Sequence, residues 1–520
     1  PMTFDDLVAC HRLSSPQASP DGKWVAYVAT DVDKAANKTD SDIWLVPADG
    51  GTPRRLTSST KHDRHPTWSP DGRMIAFESN RGGDFQVWVI PSDGGEARKL
   101  TSVSTEATQP VWSPDGKNIA FVSAVFPEFS EQPFARSDKA NKDKLEAREQ
   151  SKVKARVITK LLYRHWDSWV DDKRQHLFVV PVAAGAVAGE PRDLTPGDRD
   201  AVPTSDTFSA GDEFAFSPDG AELAYTATPT PPHSEAWSTD HDLWAVDLKS
   251  GARRQLTKNP AADGCPRYSP DGRSIAYRAQ ARPGFEADRW QLMLLDRATG
   301  ASRGLTAGFD SSVEDITWIP GSKTIVIAAE DKGTKALWTV STVGEDVRPL
   351  ATGGVSGEAD ATPDGKAVLF TRHHMGAPAE VFRASLDGAG AKALTHVNDA
   401  LVAQLDLARP ETITLPGAGG APVQMWILRP PGFDPAKKWP LVFWVHGGPQ
   451  GAFMESWSYR WNPQVWAAQG YVVAMPNPRG STGFGQKFTD EISGDWGGKV
   501  VDDLMACLAQ LEKQPYVDTT

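Results

Sequence analysis

At 520 residues the chain is too long for one ordinary core; at roughly 150 residues per domain it suggests about three, although large β folds run longer as single units. With 39% hydrophobic and 23% charged residues it reads as globular, and no stretch nears the ~18 consecutive apolar residues of a membrane span. A net charge of −12 argues against a sequence-independent grip on nucleic acid or an anionic membrane, and three cysteines (Cys10, Cys265, Cys507) exclude a disulfide scaffold or a cysteine-built zinc site. The chain opens Pro1-Met2 with no signal-peptide pattern, so its natural start is expected to have been processed or replaced. Residues 1–13 are expected to form a short helical segment.

A repeat follows. Ser19-Pro-Asp-Gly-Lys-Trp-Val-Ala-Tyr returns at Ser69, Ser113, Ser217 and Ser269, with Thr at Thr362 and a degenerate copy at Ile319. Pro-Asp-Gly is a turn, because proline presets the first torsion and glycine supplies a positive φ. The alternating apolar run behind it is a strand. A second phrase interleaves: Asp42-Ile-Trp-Leu-Val-Pro…Arg-Leu56-Thr57, Gln86 to Thr101, His176 to Thr195, Asp242 to Thr257, Gln291 to Thr306, Ala336 to Ala351 and Glu380 to Thr395. It predicts a hairpin. Seven alternating pairs of about four strands, spaced 50 residues from Asp21 to Asp71 and 44 from Asp71 to Asp115, predict a seven-bladed β-propeller over 14–400.

Asp115 to Asp219 spans 104 residues, so an insertion is expected over 126–175. Its middle, Arg136 to Arg156, has helix-forming composition and carries eight Lys/Arg against four Asp/Glu. Two readings stand: a solvated surface helix, or an arm near a substrate entrance. Arg164-His165-Trp166-Asp167-Ser168-Trp169 behind it is too polar and too aromatic for a routine strand.

Beyond residue 400 the pattern changes. Gln424 to Arg429, Pro440 to His446 and Tyr471 to Pro476 read as strands, the last two buried, with helices over Trp457–Gly470 and Gly498–Gln514. The second helix carries Val501, Leu504, Leu508 and Leu511 on one face. Strands alternating with helices predict an α/β domain over 401–520. The strand ending at Val445 runs into His446-Gly447-Gly448-Pro449-Gln450-Gly451. In α/β-hydrolases a His-Gly-Gly loop here supplies one donor of the oxyanion hole. Asn477-Pro478-Arg479-Gly480-Ser481-Thr482-Gly483-Phe484-Gly485 follows the next strand, and the two loops strengthen each other.

Together the repeats, these two loops and Gly494-Asp495-Trp496-Gly497 resemble the prolyl oligopeptidase (S9) family of serine peptidases, on the acylaminoacyl-peptidase and dipeptidyl-peptidase 5-like side. The resemblance implies a mainly β fold, a seven-bladed β-propeller followed by an incomplete α/β-hydrolase domain. It implies a serine exopeptidase releasing dipeptides or acylated residues from the N-termini of short peptides, with the propeller gating access. Gly448 would aim its N–H at the developing oxyanion. His446, Gly447, Pro449, Arg479 and Gly480 would shape the loops, and Asp495 and Trp496 would buttress the same edge. A free α-amino group needs a carboxylate; Glu128, Glu131, Asp167, Asp171 and Asp172 are candidates, with Asp167 preferred and Trp166 and Trp169 as an apolar wall. His373-His374 reads as a strand-end pair, and neither metal nor cofactor is expected.

The family's nucleophile sits in Gly-x-Ser-x-Gly, which occurs nowhere in the chain: Arg479 spoils the match at Ser481 and Glu358 spoils it at Ser356. The chain is therefore expected to be the N-terminal portion of an enzyme, inactive alone, whose partners are a short peptide and the C-terminal remainder of the hydrolase domain. A homo-oligomer stays open. Exported or periplasmic placement is favoured over cytoplasmic, as in many bacterial members. Two rival readings stand beside this one: a propeller-based periplasmic binding module, and a propeller-bearing esterase.

Overall fold

The computed structural model describes residues 1–520 apart from 160, 162, 166, 167, 170, 171, 204–212, 230–235 and 345. A capped helix, Phe4–Ala9, precedes a first strand that starts at Arg12. Seven antiparallel blades follow, opening at Arg12, Asp63, Thr108, Phe214, Asp263, Val313 and Val355; each has four strands, except that the third adds a fifth, Ala186–Val187, and the last two are joined by a parallel bridge from Lys335 to Val355. The recurring Ser-Pro-Asp-Gly phrase explains itself in the turns. In blade 1 the Ser19 hydroxyl donates to Asp21 (2.6 Å) and accepts from the Trp24 N–H (2.9 Å), while Gly22 takes φ +70°. The same serine–aspartate bond recurs at Ser69, Ser113, Ser217 and Ser269, and Thr362 replaces the serine in blade 7.

Each seam between neighbouring blades carries its own apolar cluster. Ile43 and Leu45 of blade 1 meet Ile75 and Phe77 of blade 2, and the series continues to Leu337 of blade 6 against Phe370 of blade 7. Leu369 and Val381 of blade 7 then pack on Val25 and Tyr27 of blade 1, so burial closes the ring. Polar clamps line its inner edge. Ser15, Gln109, Cys265 and Glu358 occupy bulges with φ of 54–56°. Each donates its N–H to a carboxylate of the preceding blade: Glu358 (3.1 Å), Glu78 (2.9 Å), Glu213 (2.6 Å) and Asp315 (3.0 Å), respectively. They surround a central cavity of about 770 Å³.

The repeat also sets blades 4 and 5 against blades 1 and 2. In blades 1 and 2, Arg55 pairs with Asp42 and Arg81 with Asp63. At the matching positions of blades 4 and 5, Asp242 has Gln255 at 2.7 Å and Asp263 has Asn259 at 2.8 Å; Ala281 stands where Arg81 would be. Burial next to Asp242 and Asp240, with no ion pair to Asp263 among the described residues, pushes its carboxyl up to about 7. The folded form thus holds a proton that the unfolded chain releases near pH 4. Stability is full below that pH and falls as pH rises through about 7. Asp263→Asn keeps the bond to Asn259 and removes the titration. It should raise stability at pH 8 by on the order of 2–4 kcal/mol while changing little at pH 4. Thermal unfolding of both chains at the two pH values checks this; an unchanged gap between the two pH values contradicts it.

The insertion lies between Val125 and Arg174 of blade 3. Its helix is Phe134–Gln150, shorter than Arg136 to Arg156 and shifted toward Pro133, whose fixed φ suits a helix start. Asn141 Oδ1 accepts the Phe126 N–H (2.8 Å), and Phe134 packs against the blade 2–3 cluster. Arg164–His165 and Ser168–Trp169 form a short antiparallel ladder, a hairpin that their composition did not suggest.

The C-terminal sheet has the spatial order Pro410–Pro416, Pro422–Leu428, Val472–Asn477, Leu441–Phe443; only the last pair is parallel. Val472–Asn477 is buried throughout, as its apolar run predicts. Leu441–Phe443 is only half-buried and Val445 is 57% exposed, because no strand among the described residues pairs with its outer edge. The expected helix over Trp457–Gly470 shrinks to Pro463–Ala467, where Asn462 caps a proline start. Lys499–Glu512 turns Asp503, Cys507 and Leu511 inward and leaves Val501 exposed, a rotation from the all-apolar face predicted.

Candidate active site

Val442 pairs in parallel with Val473, so the loops after the two strands leave the sheet side by side. The carboxyl ends of parallel strands are where open α/β sheets place ligands. The first loop holds His446 to Gly451 and the second Pro478 to Gly485. Two bonds clasp them: His446 Nε2 lies 2.9 Å from Ser481 Oγ, and the Thr482 N–H donates to the Gly451 carbonyl (3.1 Å). His446 Nδ1 lies 2.8 Å from the Gly447 carbonyl, and Phe453 meets the imidazole edge-on at 5.3 Å. Burial lowers the His446 pKa, which keeps the ring neutral at pH 7.

Gly448 has φ +132°, and a Cβ there would lie 2.6 Å from the Gln450 nitrogen, so only glycine fits. Gly447 and Gly448 are exposed at the mouth of the loop, and Pro449 is half-buried. Arg479 is 3% exposed and builds a hub. Its guanidinium meets Glu491, the Ala418 carbonyl and Asp503 Oδ2 (Nε at 3.1 Å), and its N–H donates to the same Asp503 oxygen at 2.9 Å. Asp503 Oδ1 accepts the Ala418 N–H (2.7 Å). Gly480 lies so close to Ile492 that a Cβ would come within 2.8 Å of its Cγ2.

Other expected residues lie elsewhere. Asp495 accepts the Lys499 N–H (3.2 Å) and caps a helix, and Trp496, expected to buttress the loops, is 68% exposed. Glu128 pairs with Lys144, Asp172 pairs with Arg148 (2.6 Å), and Glu131 is exposed. Trp169 is 52% exposed, with the Arg156 guanidinium 4.4 Å above its ring. No hydrogen bond or ion pair of Glu128 or Glu131 among the described residues reaches either loop. Trp166, Asp167 and Asp171 lie outside the described residues. His373 ends a blade 7 strand, and its Nδ1 accepts the Trp457 N–H (2.9 Å). No cluster of metal-ligating side chains occurs among the described residues.

The propeller grips this region along a continuous seam. Arg282 makes a two-pronged bond to Asp490 (2.8 and 2.9 Å), and Asp310 accepts the Gln486 N–H (3.1 Å). The Lys332 N–H donates to the Gly483 carbonyl (2.9 Å), and the Met375 carbonyl of blade 7 accepts from the Gln464 amide (3.0 Å). Sequence reasoning missed Asp503 and Asp490. A signal existed for one of them: Asp503 sits at i−4 from Cys507 and i−8 from Leu511, an acid in a core stripe, which calls for a buried partner.

Comparison with known proteins agrees with this architecture. Residues 33–176 match the family described as "Tricorn protease N-terminal beta propeller domain", and residues 457–520 match "Prolyl oligopeptidase family". A dipeptidyl-peptidase 5 of Porphyromonas gingivalis is 33% identical over 519 residues, covering 99% of this chain and 73% of the relative. One from Aspergillus fumigatus is 30% identical over 388 residues, covering 70% of this chain and 53% of the relative. Among solved structures, an acylaminoacyl peptidase in complex with Z-Gly-Gly-Phe-chloromethyl ketone superposes with a TM-score of 0.79 at 18% identity, covering 99% of this chain and 73% of that one.

Proposed function

The chain belongs to the prolyl oligopeptidase family of serine peptidases, and from that premise we propose that it serves an exopeptidase that releases dipeptides from the N-termini of short peptides. The observation that carries this reading is the clasped pair of loops at the ends of two parallel strands, with Gly448 free to present its N–H and the propeller seated across the same end. Relatives at 30–33% identity named dipeptidyl-peptidase 5 support the substrate class.

In this reading a serine hydroxyl attacks the carbonyl carbon of the second peptide bond, a histidine takes its proton, and a carboxylate orients that histidine. The C–O bond of the acyl-enzyme forms as the C–N bond breaks, and the histidine returns the proton to the leaving amine. Water then hydrolyses the ester. Gly448 would donate to the carbonyl oxygen as it gains charge, and the hub around Arg479 would hold the loop opposite. The propeller limits entry to short, unfolded peptides. The 520 residues hold no Gly-x-Ser-x-Gly, so the chain by itself is expected to show no turnover.

The expected result is no turnover of dipeptidyl p-nitroanilides by the purified, mass-verified 520-residue chain, and turnover by the natural polypeptide that carries it. N-acetylated single-residue substrates, run in parallel, separate a dipeptidyl from an acylaminoacyl preference. Turnover by the 520 residues alone sinks the expectation that the chain is inactive by itself.

A further inference from the structure

Ser481 and His446 form a serine–histidine pair at 2.9 Å, the spacing of a nucleophile and its base. The surroundings give the pair another role. Ser481 is fully buried, so no substrate carbonyl reaches its oxygen. Its hydroxyl also has a backbone acceptor, the Pro478 carbonyl, at 2.6 Å. The far nitrogen of His446 faces the Gly447 carbonyl and not a carboxylate, so nothing supports an imidazolium as a triad acid would.

We propose that Ser481 is a positioning residue, which locks the His446 ring so that the ring in turn fixes the Gly447–Gly448 peptide and aims the Gly448 N–H at the oxyanion. This inference rests on the reading of that loop as the oxyanion donor. The proton count supports it. The Gly447 carbonyl only accepts, so Nδ1 carries the hydrogen. A neutral ring then leaves Nε2 bare, and the single Ser481 hydrogen is shared between Nε2 (2.9 Å) and the Pro478 carbonyl (2.6 Å). When the ring gains a proton, Nε2–H donates instead, and the Ser481 hydrogen turns to Pro478. A hydroxyl serves both states of the ring; a methyl serves neither. The chain behind Ser481 is itself held. Its N–H donates to Pro478 (3.0 Å), its carbonyl accepts from Thr489 (3.2 Å), the Thr482 N–H donates to Gly451 (3.1 Å), and the Gly483 carbonyl accepts from Lys332 of blade 6 (2.9 Å). The oxyanion loop is thus referenced to the propeller through residues 481 to 483.

Two measurements test this. In the natural full-length polypeptide, Ser481→Ala should lower kcat for a dipeptidyl substrate by about 10–100-fold with KM within about twofold, the pattern of a lost transition-state contact. Ser481→Thr, which keeps the hydroxyl, should recover most of the loss. An unchanged kcat in a folded Ser481→Ala protein overturns the proposal, as does covalent labelling of Ser481 by a fluorophosphonate. The second measurement needs neither activity nor a variant at Ser481. Ring nitrogen shifts in the 520-residue chain labelled with 15N-histidine, with His446 identified by its loss in His446→Asn, should show the Nδ1–H tautomer. The Nε2–H tautomer at pH 8 overturns the proposal, whether or not the peptidase assignment stands. Absence of peptidase activity in the full-length wild type removes the functional reading, and with it the purpose assigned to the lock.

Discussion

Asp503→Ala should unfold the C-terminal sheet's support before it touches the propeller. Asp503 is fully buried and accepts from the Ala418 N–H and the Arg479 N–H, with the Arg479 guanidinium alongside. Removing it takes from the buried Arg479 guanidinium one of its two carboxylates and leaves the buried Arg479 amide and the half-buried Ala418 amide without their acceptor. Breaking a buried pair by deleting one partner costs about 3–5 kcal/mol. The loss stays local, because the seven blades have their own seam clusters. A chain with two cores has no single unfolding free energy, so hydrogen exchange resolved by segment is the suitable readout. Protection in Val472–Asn477 and Lys499–Glu512 should fall by about two to three orders of magnitude, since each 1.4 kcal/mol is tenfold, with blade strands unchanged. Protection within tenfold of wild type in both segments contradicts the hub. Asp503→Asn, which keeps one acceptor, should lose less.

Gly448→Ala should abolish most activity of the natural enzyme while leaving it folded. A methyl group there collides with the Gln450 backbone at 2.6 Å and demands φ +132°, which L side chains avoid. The loop relaxes by turning the Gly447–Gly448 peptide, and the donor leaves its line to the oxyanion. Loss of one such donor lowers kcat by about 10²–10³-fold. Because the loop is exposed at this point, stability should change little. A kcat within fivefold of wild type removes Gly448 from the chemistry.

The ring of blades is legible in the sequence because its signal repeats. One Ser-Pro-Asp-Gly turn is weak evidence; six copies interleaved with hairpin phrases leave few alternatives. The glycine loop is legible for a different reason, since it follows an apolar strand directly. What escaped was long-range. Nothing local announces that Arg282 reaches Asp490, or that Lys332 reaches Gly483, because each pair joins separate cores. The helix over Lys499–Glu512 shows the same limit. Its leucines predict one inward face, and Asp503 draws a neighbouring face inward by bonding Ala418 and Arg479. Trp457–Gly470 failed as a long helix because Asn462-Pro463 starts a new one. Val445 is exposed and Leu441–Phe443 half-buried despite their apolar run, because this strand stands at the edge of the sheet among the described residues.

The central claim is that Gly448 donates to the oxyanion. Trapping the natural enzyme with a dipeptidyl boronate and determining that structure tests it most directly. The account predicts a boronate oxygen about 2.7–3.1 Å from the Gly448 nitrogen, with the boron bonded to a serine that is not Ser481. A boronate held away from residues 446–451, or bonded to Ser481, would contradict it.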